Sequence, residues 1–190
     1  MNKHLCTAFL ALLALPLAAQ DKGFSVHGGL VAGTDSLAKV TNARTGFTAG
    51  VSYDGTIPGA QVTFRSGLTF GSFPGSAKDG LKTSLTLAQL SGDLIVPFCS
   101  KAQGILGISL NNWSQSQSGT ETEHAVFPVK DAKGLKFGLR VGVEYRLSDR
   151  FALEALLQQT ELAGRDTDDT ATRVGGVNPA WIQIGARYRF

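Results

Sequence analysis

From residue 24 onward, apolar and polar residues alternate with a period of two. Between Leu135 and Leu147 the odd positions read Leu135, Phe137, Leu139, Val141, Val143, Tyr145 and Leu147. The even positions read Lys136, Gly138, Arg140, Gly142, Glu144 and Arg146. The end of the chain repeats this, Ile182, Ile184, Ala186, Tyr188 and Phe190 alternating with Trp181, Gln183, Gly185, Arg187 and Arg189. A period of two marks a strand with two unlike faces, because successive Cβ atoms point to opposite sides. The same reading predicts eight strands, at 24–34, 45–54, 60–72, 83–97, 103–113, 135–147, 151–162 and 179–190. No sustained helical period follows residue 20.

The predicted strands are long. Strands of soluble proteins usually run about 5–6 residues, whereas a tilted membrane-spanning strand needs about 9–11. The predicted connections alternate in length. Short ones fall at 55–59, 98–102 and 148–150, and long polar ones at 35–44, 73–82, 114–134 and 163–178. This pattern predicts an all-β fold, an eight-stranded antiparallel up-and-down transmembrane β-barrel, with short periplasmic turns and long extracellular loops.

The two faces differ in chemistry. The apolar register (24–32, 47–53, 62–70, 88–96, 106–110, 135–147, 151–157 and 182–190, every second residue) has 38 positions and no charge. The opposite face holds Arg65, Asp93, Lys136, Arg140, Glu144, Arg146, Glu154, Arg187 and Arg189, together with many glycines. A soluble barrel would bury the apolar face; a membrane barrel turns it to lipid. Aromatic residues near the strand ends of the apolar face (Phe24, Tyr53, Phe98, Tyr145, Phe151, Tyr188, Phe190) match an interfacial girdle and favour lipid outside.

Composition narrows the picture. The 190 residues carry 18 Lys+Arg against 15 Asp+Glu, a formal charge of +3, with 43% hydrophobic and 17% charged residues. That excludes a highly charged disordered chain. Residues 1–19 have the layout of a secretory signal peptide, with Lys3, an apolar run from Leu5 to Leu15, and Pro16-Leu17-Ala18-Ala19. Cleavage is expected after Ala19 or one residue later, leaving 20–190 as a single barrel domain with one cysteine, Cys99. A lone cysteine forms no internal disulfide and no zinc site.

On these features, and most specifically on the ending Ala186-Arg187-Tyr188-Arg189-Phe190, the chain resembles the small eight-stranded outer-membrane barrels of diderm bacteria, the OmpA/OmpX/OmpW-like porin-family class. The resemblance spans the whole mature chain. It implies an outer-membrane location and a monomer surrounded by lipid and lipopolysaccharide. It also implies a C-terminal signal, Tyr188 and Phe190, read by the barrel-assembly machinery. The peptidoglycan-binding domain of full-length OmpA has no counterpart here.

Candidate chemistry lies on the polar face. Counted from the short-turn end, Glu144, Glu154 and Arg187 fall about three residues in on adjacent strands, and Asp93 and Arg65 about four and five in. With Arg140 they form a candidate ion-pair network in the lumen, because unpaired charges in so narrow a space are costly. The bland reading is a structural plug; the sharper one is a gate in which arginine and glutamate exchange partners. Six positive and three negative charges predict that any pore favours anions.

An enzyme is not expected. Lipid A deacylases of similar build carry a His-x-Ser pair late in the chain, whereas Ser25-Val26-His27 is early and reversed. Asp21–Gly23 is too short for the amphipathic helix of the palmitoyl-transferase type. His124 with Glu121 and Glu123, and the acidic stretch Asp166-Thr167-Asp168-Asp169, read as solvated loop residues, so no metal or cofactor is expected. No motif suggests nucleic acid. The expectation is an integral outer-membrane protein with a structural or surface-interaction role, its long loops available to an extracellular ligand. A narrow channel for ions or small solutes is the alternative, and a lipid A-modifying enzyme a distant third.

Overall fold

The computed structural model describes residues 23–34, 45–56, 59, 62–75, 77–78, 81–119, 132–160 and 180–190. The signal-peptide expectation for 1–19, His124 with its neighbouring glutamates, and the acidic stretch at 166–169 lie outside the described residues.

Eight long strands form one antiparallel sheet: β1 (Phe24–Gly33), β2 (Thr45–Thr56), β3 (Thr63–Phe73), β4 (Leu81–Pro97), β5 (Ala102–Gly119), β6 (Ala132–Arg146), β7 (Phe151–Thr160) and β8 (Ala180–Arg189). Each pairs with its sequence neighbours, and β1 pairs with β8 to close the barrel, His27 standing opposite Arg187 and Leu30 opposite Ile184. Closure gives each long strand a neighbour on both sides, which lets the sheet satisfy its own backbone donors and acceptors where it spans the membrane. Beyond the closing register, the Phe190 amide donates to the Phe24 carbonyl at 3.0 Å.

The alternation sorts side chains as predicted. Leu30, Leu106, Leu139 and Ile184 are exposed on the outside, whereas Arg65, Asn111, Glu144 and Arg187 are buried within. The aromatic positions at the short-turn end make edge contacts, Phe24 with Tyr53 at 5.1 Å and Tyr188 with Phe190 at 5.5 Å. Phe64 shares the outward register of Leu68 and Phe70 yet is buried.

Several boundaries depart from expectation, β4 beginning at Leu81 rather than 83 and β6 at Ala132 rather than 135. β2 continues to Thr56, and β3 begins at Thr63 rather than at 60, with the intervening turn passing through Gly59 at φ 78°, a backbone state that favours glycine. Within the predicted loops, Ala77–Lys78 pairs with Leu81–Lys82, and β5 runs on to Gly119. The 17 and 18 residues of β4 and β5 exceed the roughly 9–11 needed to span a membrane. Their excess, Ser114–Gly119 against Leu81–Thr86, is rich in serine and threonine, and Thr86 Oγ1 donates to the Ser114 carbonyl at 3.3 Å. A paired ladder outside the membrane needs no apolar face, which is why the predicted strand 103–113 stops short of Gly119, although 83–86 fall within the predicted 83–97.

At the short-turn end, Ser148 Oγ accepts from the Phe151 amide at 3.1 Å, closing the turn between β6 and β7. Phe98, in the turn after β4, lays its ring over Gly104, where a Cβ would stand 2.5 Å from the ring.

An arginine placed on the outward face should be costly. Leu139→Arg is expected to lower the unfolding free energy by about 2–4 kcal/mol, measured by urea titration in bilayers, while Leu139→Phe changes it little. A null effect of the arginine would place that face in water.

Candidate functional site

The inward face forms three layers. In the layer nearest the short turns, the residues come from β2, β3, β6, β7 and β8. Asp54 lies two residues before the end of β2, and Arg65 is the third residue of β3. Arg65 holds Asp54 through both carboxylate oxygens, Nε to Oδ1 at 2.6 Å and Nη2 to Oδ2 at 3.0 Å. Its Nη1 stands 2.8 Å from Glu144 Oε2 and 4.0 Å from Glu154 Oε2. Arg187 stands between the same two glutamates, Nε 3.3 Å from Glu144 and Nη2 2.8 Å from Glu154. Its Nη1 also donates to Ser25 Oγ at 2.9 Å and to Ser52 Oγ. Arg189 Nη2 reaches Glu144 Oε1 at 2.5 Å and Asp54 Oδ2 at 3.7 Å. Gln103 Nε2 donates to Glu144 Oε1 at 2.5 Å, while its oxygen accepts from Arg146 at 2.8 Å.

The six ions Asp54, Arg65, Glu144, Glu154, Arg187 and Arg189 thus form one cluster with Glu144 at its centre. Asp93 and Arg140 stand apart as a looser pair, Nε to Oδ1 at 3.6 Å. Asp93 fits because β5 carries glycine opposite it; a Cβ on Gly107 would lie 1.9 Å from Asp93 Oδ1.

Asp54 is the residue that the sequence reading missed. It lies within the predicted strand 45–54 and shares the inward parity of Gly50 and Ser52, so parity alone places it inside. Counting Asp54, the inward face carries six positive and four negative residues, and the six-ion cluster itself, three arginines against three acids, is neutral. Arg140, paired with Asp93, and Arg146 and Lys136, both half-buried, are the remaining positive residues.

The middle layer is polar and uncharged. Gln89 donates to Asn111 Oδ1 at 2.6 Å, Asn111 donates to Thr160 Oγ1 at 2.9 Å, and His27 Nε2 lies 2.9 Å from Thr69 Oγ1. Ser25 is bonded to Ser52 at 2.8 Å, so the Ser25 and His27 side chains have separate partners.

The third layer is apolar. Val31, Phe73, Leu85, Leu87, Trp113 and Trp181, all of inward parity, pack as one buried apolar cluster toward the long-loop end. A smaller cluster, Ile95, Ile105 and Leu156, lies lower. The alternation had set Trp181 among the polar positions because its neighbours Gln183, Arg187 and Arg189 are polar.

Below the ionic layer a cavity of about 370 Å³ opens at the short-turn end, lined by Asp54, Gln103, Arg146, Arg150 and Arg189 among others. Nearby, Cys99 is exposed in the turn between β4 and β5. Its Sγ accepts from the Ala102 amide at 3.3 Å. The Lys101 and Ala102 amides hold the thiol below its usual range.

Fold and lumen together define an outer-membrane-type β-barrel. Solved structures agree. Neisserial surface protein A superposes with a TM-score of 0.62 at 15% identity, over 89% of this chain and 98% of that one. Ail, the attachment invasion locus protein of Yersinia pestis, gives 0.56 at 10% identity, over 90% of this chain and 100% of that one. The N-terminal barrel domain of Pseudomonas aeruginosa OprF gives 0.51 at 11% identity, with the same coverage. At such identities the likeness is one of fold. No protein-family model matches the chain, and no curated protein matches it in sequence.

Glu144→Gln should lower stability by about 3–5 kcal/mol, because it leaves buried guanidinium charges uncompensated. Urea titration followed by the heat-dependent gel shift measures this, and a loss below about 1 kcal/mol would equate the cluster with surface ion pairs. Alkylation of Cys99 should follow a pH profile whose midpoint lies below the ordinary cysteine value of about 8.5. A midpoint at or above that value would remove the role given to the turn amides.

Proposed function

We propose that the protein is a monomeric integral protein of a diderm outer membrane, exported on a cleaved leader at 1–19, whose barrel is closed to ions. It serves as a rigid, lipopolysaccharide-embedded scaffold that presents the long-loop end to the outside. The observation that carries this reading is a lumen filled by buried inward side chains, the neutral ionic cluster among them. Arg65, Glu144, Glu154 and Arg187 are each buried and share partners across five strands. Such a cluster braces the barrel from within, and Asp93 with Arg140 adds a second brace between β4 and β6.

Tyr188 and Phe190, outward at the end of the closing strand, are the positions proposed to be read by the assembly machinery. Surface binding is the proposed use of the long-loop end. Ail, similar in fold, has been solved in complex with the heparin analogue sucrose octasulfate, which supports testing sulfated sugars first.

One geometric feature favours a second reading, a gate. Arg65 and Arg187 each stand within 4.0 Å of both Glu144 and Glu154, so partner exchange requires only small side-chain motions.

Planar-bilayer recording of refolded protein, its folding verified by gel shift, separates the two. A closed scaffold is silent, and Glu144→Gln lowers stability without producing current. Discrete conductance steps that change on substitution at Glu144 or Arg187 would establish the gate and overturn the closed reading.

A further inference from the structure

The ionic cluster is the obvious obstacle in the lumen, but it is a poor seal. It adjoins a cavity of about 370 Å³ at the short-turn end, and the Arg189 side chain within it is 21% exposed. Charged groups near water retain hydration, and paired charges can exchange partners around a passing ion.

The apolar cluster has the opposite properties. Its six side chains come from β1, β3, β4, β5 and β8. Counted from the short-turn end of their strands, they lie seven to twelve residues in, whereas the clustered ions lie within three of that end. At about 3.3 Å per residue the two layers are well separated along the strands. The cluster also spans the lumen. Phe73 on β3 meets Trp181 on β8 edge to face, with ring centroids 5.8 Å apart, although β1 and β2 stand between those strands in the sheet. Glycine on β2 makes room for this, since a Cβ on Gly46 would lie 2.6 Å from the Phe73 ring. An ion entering such a layer loses its hydration shell and finds few free polar groups, the indole nitrogen of Trp113 among them, so an apolar constriction closes a pore by excluding water.

We propose that the permeability barrier of this barrel is the apolar plug of Val31, Phe73, Leu85, Leu87, Trp113 and Trp181. The ion-pair network below it braces the wall and is not the seal. This inference rests on the closed-barrel reading and goes beyond it by locating the closure.

The chain supplies its own reporter. It has two tryptophans, and both lie in the plug, away from the interfacial positions where tryptophan usually sits in membrane barrels. In wild-type protein in vesicles, intrinsic fluorescence should be quenched several-fold less by iodide than that of free tryptophanamide. In parallel bilayer recordings, Glu144→Gln should stay silent, while the double variant Phe73→Ser/Trp181→Ser, if folded by gel shift, should conduct. Silence of the folded double variant, or current through Glu144→Gln with the plug intact, would overturn the proposal. Should the double variant not fold, the wild-type quenching decides, and iodide quenching near that of the free indole overturns it. Steady conductance in wild type sinks the closed-barrel reading itself, whereas a silent wild type with iodide-accessible tryptophans sinks only the placement of the seal.

Discussion

A chain crossing lipid must satisfy its own backbone hydrogen bonds, and a sheet does so only by closing on itself. The pairing of β1 with β8 is therefore the contact on which the rest depends. Eight strands make a cylinder just wide enough for side chains to fill. Closure thus creates a second demand, because every inward residue must find partners inside a narrow tube. The layered lumen is the response. Glycines such as Gly46 and Gly107 leave room for the large side chains opposite, so the inward face is packed rather than merely lined.

The ionic layer shows how charge is tolerated there. Each buried carboxylate faces at least one guanidinium, and Glu144 accepts hydrogen bonds from Gln103 and Arg189 while ion-paired with Arg65 and Arg187. Arginine suits this role because its planar fork can serve several acceptors without losing its charge. Neutrality matters as much as contact, since a surplus charge in the tube would lack both partner and bulk water. Asp54 supplies the balance, and without it Arg65 would depend on Glu144 and Glu154, both of which are shared with Arg187.

The apolar layer inverts the usual logic of a membrane barrel. Lipid provides the apolar environment outside, so inward apolar residues are not needed to hold the wall in the membrane. Their mutual packing fills the lumen toward the long-loop end with buried side chains, whereas hydrogen-bonded polar side chains such as Gln89, Asn111 and Thr160 lie beside it. A lumen graded in this way has unlike ends, and its two halves are suited to different work.

Much of the architecture was legible in the residues themselves. Strand identity, the outward face and the inward placement of Arg65, Asp93, Arg140, Glu144, Glu154 and Arg187 followed from parity, because side chains alternate strictly along a strand and lipid tolerates no charge. The tertiary structure decided what parity cannot carry. It set that Asp54 stands against Arg65 and Arg189 and so joins the cluster. It set how strands are staggered around the tube, and hence that Arg65 stands level with Glu144. It also brought Phe73 against Trp181, two residues far apart in the chain and on non-adjacent strands. Alternation along one strand reports which side a residue takes; only closure of all eight determines what it meets there.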